Sequence, residues 1–230
     1  MSKYGVSLIL WDINEEKNKQ TYDALRALGH RRIYLHKVDL SSEVEVRETA
    51  KLCKEKHGHI SMIIQGASST SFDLRSIFDK EASTELVKPF RLFYESSVWL
   101  YQEFLPKMIE KNCGHLVLLT TETAILSKPL ADNGLSTFQN SQIKLAECVN
   151  AELKQSNKNN QICFSIVYLR NRVLKDSDAK KIVGSILKNK NYIYLPSYLN
   201  YVIMLRSILP TKCFDLFDSS AANLNTKKDD

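Results

Sequence analysis

The sequence alternates short apolar runs with longer stretches of helical periodicity, and this alternation constrains the fold more than any other feature. Runs rich in aliphatic and β-branched residues are typical of parallel strands that helices cover on both faces. The stretches between them are long enough for crossover helices, so the order predicts an α/β domain with a parallel sheet. The predicted strands are residues 6–11, 33–37, 60–64, 115–119, 162–168 and 192–195.

Helices are predicted at residues 15–28, 43–56, 81–111 and 138–154, the third of them broken or offset near Pro89. Asn14 followed by two glutamates is a favourable helix start, because a side-chain cap and negative charge both stabilise the amino-terminal end. Gly29 then ends this first helix.

Several classes of protein are excluded by composition. No uncharged apolar run approaches the ~18 residues of a membrane span, and no cleavable signal peptide is recognisable. The 5 cysteines lie too far apart for zinc-site or redox spacing, which favours reduced thiols facing the cytosol. The net charge of +6 is scattered rather than concentrated on one helix, so we expect no nucleic-acid partner and only a modest attraction to anionic lipid surfaces.

Glycine is scarce, with 7 residues among 230. The closest pair, Gly58 and Gly66, lies eight positions apart, so the sequence has no G-x-G or G-x-x-x-G pattern. Loops that cradle phosphate use closely spaced glycines to bring backbone amides near the ligand. The printed sequence therefore lacks a glycine-rich phosphate cradle.

Three stretches resemble the short-chain dehydrogenases/reductases: SLILWDINEE at 7–16, FLPKMIEKNCGHLVLL at 104–119 and KNYIYLPSYLNYVIMLRSILP at 190–210. They are most similar to the subgroup of lipid-droplet 17-beta-hydroxysteroid dehydrogenases and epidermal retinol dehydrogenases. The resemblance implies a Rossmann-like, doubly wound parallel sheet in residues 1–217. The polar composition of residues 218–230 predicts a disordered tail. It also implies NAD(P)-dependent oxidation or reduction of lipid, steroid or retinoid alcohols and carbonyls.

In that family, a membrane anchor and a central first strand with a glycine-rich turn precede the segment that resembles residues 7–16. Without that strand, the two halves of the sheet are separated. We therefore expect one of two outcomes: the strands at 6–11 and 60–64 pair directly, or the sequence is a shortened product of a longer gene. The second is favoured, because natural folds avoid exposed central edges.

The resemblance implies cofactor-binding roles for Asp12, Asp39, Gly66 and Ala67. Asp12 would bind the adenosine ribose and favour NAD, and Asp39 would contact the adenine. Each has a structural alternative: both aspartates are equally suited to capping helices, and a tight turn after a buried strand explains Gly66 and Ala67. The expected cofactor is NAD, if one binds at all.

The family's acid/base tyrosine and its lysine stand four residues apart on one helix face. Two alignments with the family are possible here. In the first, Phe138 and Gln142 occupy the tyrosine and lysine positions. In the second, which is set by the later residues 151–153 of the same helix, Leu135 and Gln139 occupy them. Neither alignment supplies a proton donor or a cation.

The substrate-orienting serine of the family corresponds to Thr121, and its supporting asparagine corresponds to Phe93. A hydroxyl at a strand end is commonly only a local cap, so the role of Thr121 stays open. We therefore expect a relative that is catalytically impaired or silent, a pseudoenzyme. The alternative is an active NAD-dependent oxidoreductase of retinoid, steroid or fatty alcohol substrates that uses Thr121 and an unrecognised proton donor.

Two surfaces suggest partners. Residues 192–217 form an aromatic-rich apolar segment that is suited to a membrane interface or to a lid over a substrate cleft. The resemblance accordingly implies a location on the cytoplasmic side, at the endoplasmic reticulum or the lipid-droplet surface. The second surface is a homodimer face on the two long helices, carried by Val98, Tyr101, Leu105, Leu145 and Val149, although burial against the sheet would explain these residues as well.

Overall fold

The computed structural model of the protein describes residues 5–66, 83–126, 135–156, 161–170 and 175–208. Strands and helices alternate along the chain. The strands are β1 (Leu8–Asp12), β2 (Ile33–Lys37), β3 (Met62–Gln65), β4 (Gly114–Thr121), β5 (Ile162–Leu169) and β6 (Tyr192–Leu195). The helices are α1 (Glu15–Ala27), α2 (Glu43–His57), α3 (Ser83–Phe90), α4 (Ser96–Lys111), α5 (Thr123–Leu126), α6 (Leu135–Ser156), α7 (Asp176–Ile186) and α8 (Leu199–Ile208), with a π-helical turn, Arg91–Glu95, between α3 and α4.

The described strands form two parallel sheets instead of one. In the smaller sheet, β1 pairs with β2, and in the larger sheet the order is β3-β4-β5-β6. β1 and β3 are not hydrogen-bonded to each other, so direct pairing of these two strands, one of the two expected outcomes, is wrong. The predicted α/β class and parallel pairing are confirmed.

All six predicted strands are present, and their ends differ from the predictions by at most two residues. The four predicted helices are also confirmed. Helices α5 and α7 were not predicted, and α8 falls within residues 192–217, where a helix over a substrate cleft was one of the two alternatives. α7 was missed although Ala179, Ile182, Val183 and Ile186 are spaced as on one face of a helix, and Ile182 and Ile186 are buried. Ala67 and residues 218–230, for which a cofactor role and disorder were predicted, lie outside the described residues.

The ends of the first helix follow from local chemistry. The Asn14 side chain accepts a hydrogen bond from the Lys17 amide at 2.9 Å and caps α1. Gly29 follows the helix with φ of 88°, a conformation that glycine adopts without steric cost. Further along the chain, Pro89 lies inside α3 and the π-helical turn follows it directly, which confirms the predicted offset.

Helices cover both faces of the larger sheet, as a doubly wound fold requires. Neighbouring residues of β4 point to opposite faces: Leu116 joins a core with α2, α4 and α6, whereas Val117 packs with Ile182 and Ile186 of α7. Helix α4 lies so close to β4 that a Cβ at Gly114 would meet the Met108 sulfur at 2.6 Å. This packing fixes the carboxyl ends of β3, β4 and β5 beside the start of α4.

Candidate active site

The carboxyl edge of the larger sheet is where ligands bind in open α/β folds, and Thr121 lies there at the end of β4. Its hydroxyl donates a hydrogen bond to the Gln139 side-chain carbonyl at 2.9 Å and also contacts the Thr123 hydroxyl. Gln139 is 5% exposed on the inner face of α6. Gln139, which belongs to the Leu135 and Gln139 alignment of this helix, therefore lies against Thr121.

Phe138 and Gln142, the pair of the other alignment, lie elsewhere. Phe138 is half-buried on α6. Gln142 is 3% exposed and donates through Nε2 to the Ser97 hydroxyl at 2.9 Å, one helical turn away from Gln139. The structure thus brings Thr121 together with Gln139, and it places Gln142 in a separate polar cluster.

This cluster, called the Gln65 network below, consists of Gln65, Ser96, Ser97 and Gln142. The Gln65 amide donates to the Ser96 hydroxyl at 2.9 Å, and its carbonyl accepts from the Ser97 hydroxyl at 3.0 Å. All four residues are buried. Because buried amides are costly when they are unpaired, these bonds hold the end of β3 against α4 and α6.

Phe93 occupies the position of the family's asparagine and lies in the π-helical turn. Its side chain is fully buried, and its carbonyl lies 2.9 Å from the Ser97 hydroxyl, whose single proton it shares with the Gln65 carbonyl. A phenyl ring offers no donor or acceptor with which to hold a water molecule or a lysine. Phe93 is therefore suited to packing and not to a proton relay.

The two aspartates that were candidates for cofactor binding are engaged in local turns. The Asp12 carboxylate accepts the Asn14 amide at 2.8 Å, just before α1. The Asp39 carboxylate accepts both the amide and the hydroxyl of Ser41, at 2.8 and 2.6 Å. Asp39 does not cap α2, as the sequence had allowed, because the cap of that helix is Ser42. Its carboxylate forms an Asx turn instead.

Gly66 follows β3 at the same edge of the sheet. A Cβ at this position would lie 3.2 Å from Cδ1 of Leu119, so a larger residue would require the leucine to move. The tight contact accounts for this glycine without a ligand, which is the alternative that the sequence left open.

One titratable group, Glu122, follows Thr121 directly in the sequence. The Glu122 carboxylate is 3.6 Å from Nε of Arg170, which in turn lies over the Tyr198 ring. Burial raises the pKa of Glu122, and the positive charge of Arg170 partly offsets this effect. Glu122 is thus the described acid closest in sequence to the Thr121 hydroxyl, and no sequence motif had pointed to it.

Ser96 and Ser97 were also missed. They stand within a predicted helix directly before the apolar residues of α4, and both side chains are completely buried. A pair of small polar residues on the inner face of an apolar helix is the signal that could have identified them, because such residues need partners in the core.

A nicotinamide cofactor, which the family implies, does not fit the described residues well. The helices that follow β1 and β2 start with side-chain caps and carry glutamates in the first turn: Glu15 and Glu16 in α1, Glu43 and Glu45 in α2. These carboxylates oppose a phosphate at either helix end. No closely spaced glycines precede a helix in the described residues, so this part of the chain does not assemble a cradle for the cofactor's pyrophosphate.

Comparison with known proteins identifies the family. A family model described as "short chain dehydrogenase" matches residues 1–134. Epidermal retinol dehydrogenase 2 of Homo sapiens is 30% identical, over 92% of this chain and 72% of its own length. 17-beta-hydroxysteroid dehydrogenase 13 of Homo sapiens is 25% identical, over 89% of this chain and 71% of its own length. A short-chain dehydrogenase/reductase from Burkholderia phymatum, solved in complex with NAD, superposes with a TM-score of 0.72 at 16% identity, over 90% of this chain and 85% of its own.

The chain therefore belongs to the short-chain dehydrogenase/reductase family. Its fold is the Rossmann-like α/β fold of the solved members. Within the part of the chain that the structure describes, no helix is both long and apolar enough to cross a membrane.

The Gln65 network makes a graded prediction for stability. Ser97→Ala orphans two buried amide groups, those of Gln65 and Gln142, whereas Ser96→Ala orphans one. At about 1 to 3 kcal/mol for each orphaned group, Ser97→Ala should lower the free energy of unfolding more than Ser96→Ala. Urea denaturation measures both. Ser141→Ala, which removes only a local bond to Phe138, is the matched control. Equal effects of all three variants would contradict the network.

Proposed function

We propose that this protein is a short-chain dehydrogenase/reductase relative that does not carry out the family's proton transfer and acts by binding or assembly. One observation carries the proposal: the Thr121 hydroxyl meets the amide of Gln139 where the family reaction needs an acid/base and a cation. An amide neither releases nor takes up a proton near neutral pH.

The magnitude of the loss supports a silent or impaired site. A positioned general acid/base contributes about 10²- to 10⁴-fold to the rate, and no described tyrosine or lysine is hydrogen-bonded to Thr121. The roles assigned to Asp12, Asp39, Gly66 and Ala67 in holding NAD stay proposals, because local contacts already account for the first three.

A second candidate is an active NAD-dependent oxidoreductase of retinoid, steroid or fatty alcohol substrates. Two observations favour it. Glu122 follows Thr121 directly in the sequence, and burial raises its pKa, as is typical of carboxylic acids that donate protons. In addition, similar proteins carry the names retinol dehydrogenase and 17-beta-hydroxysteroid dehydrogenase.

Turnover decides between the two candidates. Purified protein incubated with retinol, estradiol or medium-chain alcohols and NAD or NADP should show no reduction of the cofactor above background at any pH, because no relay delivers the proton. The measurement is absorbance of the reduced nicotinamide. Turnover that Thr121→Ala and Glu122→Gln both abolish would establish the active enzyme instead, provided that the control Ser141→Ala, which removes only a local bond to Phe138, retains it.

We also propose that α8 contacts a lipid surface, at the endoplasmic reticulum or a lipid droplet. Leu199 anchors the helix and is 2% exposed, whereas the side chains one to three turns further along are exposed among the described residues: Tyr201, Met204, Leu205 and Ile208. Their spacing puts them on one face, suited to the interface of a membrane. This outward arrangement is the opposite of what a cleft lid requires.

Flotation with liposomes or droplets tests the lipid contact. Each fully buried leucine or isoleucine contributes about 1.5 to 3 kcal/mol, so Leu205→Asp with Ile208→Asp should abolish flotation of a protein that otherwise floats. Leu28→Asp with Val44→Asp is the matched control, since both residues are exposed elsewhere on the surface. A parent protein that stays in the soluble fraction would refute the proposal.

The homodimer expected from the two long helices stays a proposal, supported by an apolar groove of about 300 Å³ between α4 and α6. Val98, Leu105, Leu145 and Val149 line it. We expect a dimer in sedimentation at tens of micromolar, and Leu105→Asp should dissociate it because a carboxylate would be buried. A monomeric parent protein would contradict the expectation, and Lys107→Asp, on an exposed face of α4, is the control.

A further inference from the structure

Arg170 stands at the carboxyl edge of the larger sheet, the edge at which open α/β sheets bind ligands. It follows β5 directly, and its amide donates a hydrogen bond to the Leu195 carbonyl of β6 at 2.9 Å. On the other side of β5, the amide of Glu122 donates to the Leu169 carbonyl at 2.9 Å. These main-chain bonds fix the starting points of the Arg170 and Glu122 side chains at the ends of neighbouring strands.

The Arg170 side chain carries hydrogen-bond donors that the described residues do not use. Its guanidinium carbon lies 5.6 Å from the centroid of the Tyr198 ring, and its Nε lies 3.6 Å from Oε1 of Glu122. The second distance defines an ion pair but is too long for a hydrogen bond. None of the guanidinium N–H groups is therefore hydrogen-bonded to a described residue, and the side chain is 53% exposed.

The two contacts orient the guanidinium and leave its donors available. Packing on the tyrosine ring and the ion pair at Nε both restrict the side chain, so less conformational freedom is lost when a ligand binds. The planar fork of an arginine matches the oxygens of a carboxylate or a phosphate, which it binds through two parallel hydrogen bonds. The geometry at Arg170 is thus suited to an oxyanion.

Charge separates these two kinds of oxyanion. Glu122 faces Arg170 from the end of β4, and Tyr198 faces it as a neutral ring from the start of α8. Burial raises the pKa of Glu122, which weakens its competition for the guanidinium. A phosphate monoester carries about two negative charges at neutral pH, and Glu122 repels it more strongly than a carboxylate with a single charge.

An apolar surface continues from Arg170 along α8. The Tyr198 carbonyl accepts the Val202 amide at 3.2 Å, so Tyr198 already follows the path of this helix. Tyr201 and Leu205 come three and seven residues later, which places all three side chains on one face. All three are exposed. A chain of CH₂ groups that starts at the guanidinium can cover part of this face.

We propose that Arg170 binds the carboxylate of a long-chain monocarboxylic acid, whose apolar chain lies along Tyr198, Tyr201 and Leu205. This inference rests on the proposed function, because it names the class of ligand for a protein that acts by binding. The guanidinium donates to both carboxylate oxygens, and the apolar side chains of α8 remove the hydrocarbon chain from water.

A labelled acid tests the site. The probe is dodecanoic acid with a fluorophore on its terminal carbon, and its anisotropy is followed as full-length protein is added. We expect saturable binding that unlabelled decanoate displaces. Decanol has the same chain without the charge and should displace the probe about tenfold less well, because it cannot form the charge-assisted bonds. Decyl phosphate should also compete more weakly than decanoate, because Glu122 repels its second charge.

Two protein variants with opposite expected effects locate the carboxylate. Arg170→Gln removes the cation and should weaken binding about tenfold or more. Glu122→Gln removes the neighbouring negative charge and should strengthen binding roughly threefold. A pair that served only to join the strand ends would not shift the affinity in opposite directions. Arg26→Gln is the matched control and should bind like the parent protein, since Arg26 lies over the Tyr22 ring on α1.

Four results would overturn the inference. They are an absence of saturable binding, displacement by decanol or decyl phosphate as effective as that by decanoate, a folded Arg170→Gln variant that binds like the parent protein, and a Glu122→Gln variant that does not bind more tightly. The last result is decisive even if Arg170→Gln fails to fold. Alcohol turnover with NAD would refute the proposed function, whereas a protein with neither turnover nor acid binding would refute this inference alone.

Discussion

The buried amide of Gln65 is the constraint on which the candidate site depends. It stands at the end of β3, where it cannot reach water, and it must find partners for both its nitrogen and its oxygen. Ser96 and Ser97 of α4 provide these partners. The Ser97 hydroxyl also accepts a hydrogen bond from the side-chain amide of Gln142 on α6. Three elements are thereby locked together at the place where the family's reaction chemistry is assembled. The side chains there stabilise the fold, and their hydrogen-bonding capacity is used in doing so.

The sheet poses a second constraint, which acts at a distance from this network. A parallel sheet is stable when its central strands are paired on both sides and covered on both faces. Among the described residues, β1 and β3 satisfy the second requirement in part and are each paired on one side only. The dinucleotide site of a doubly wound sheet lies where such central strands end. The amide of Gln139 at the Thr121 hydroxyl is the observation that supports our proposal of a protein that acts by binding.

Much of the fold follows from the sequence, because strand runs such as residues 33–37 and 192–195 are short, apolar and bounded by turns. The helix α7 could have been predicted as well, because Ala179, Ile182, Val183 and Ile186 follow the apolar spacing of a helix that packs against the sheet. In the site, Phe93 and Thr121 could be placed by resemblance. The sequence could not show which of Gln139 and Gln142 contacts Thr121, because the two glutamines lie about one helical turn apart. The structure shows that Gln139 makes this contact. Local turns decided the contacts of Asp12 and Asp39, and such turns depend on backbone geometry that the sequence does not show.

Equilibrium binding of NADH tests the central claim most directly. Trp11 stands next to Asp12, the candidate ribose ligand, so energy transfer from tryptophan to the reduced nicotinamide reports on binding at that end of the fold. The account predicts no saturable transfer at NADH concentrations up to hundreds of micromolar, since the starts of the described helices α1 and α2 carry glutamates that oppose phosphate. Saturable transfer within that range, together with loss of the signal in Asp12→Ala, would contradict it.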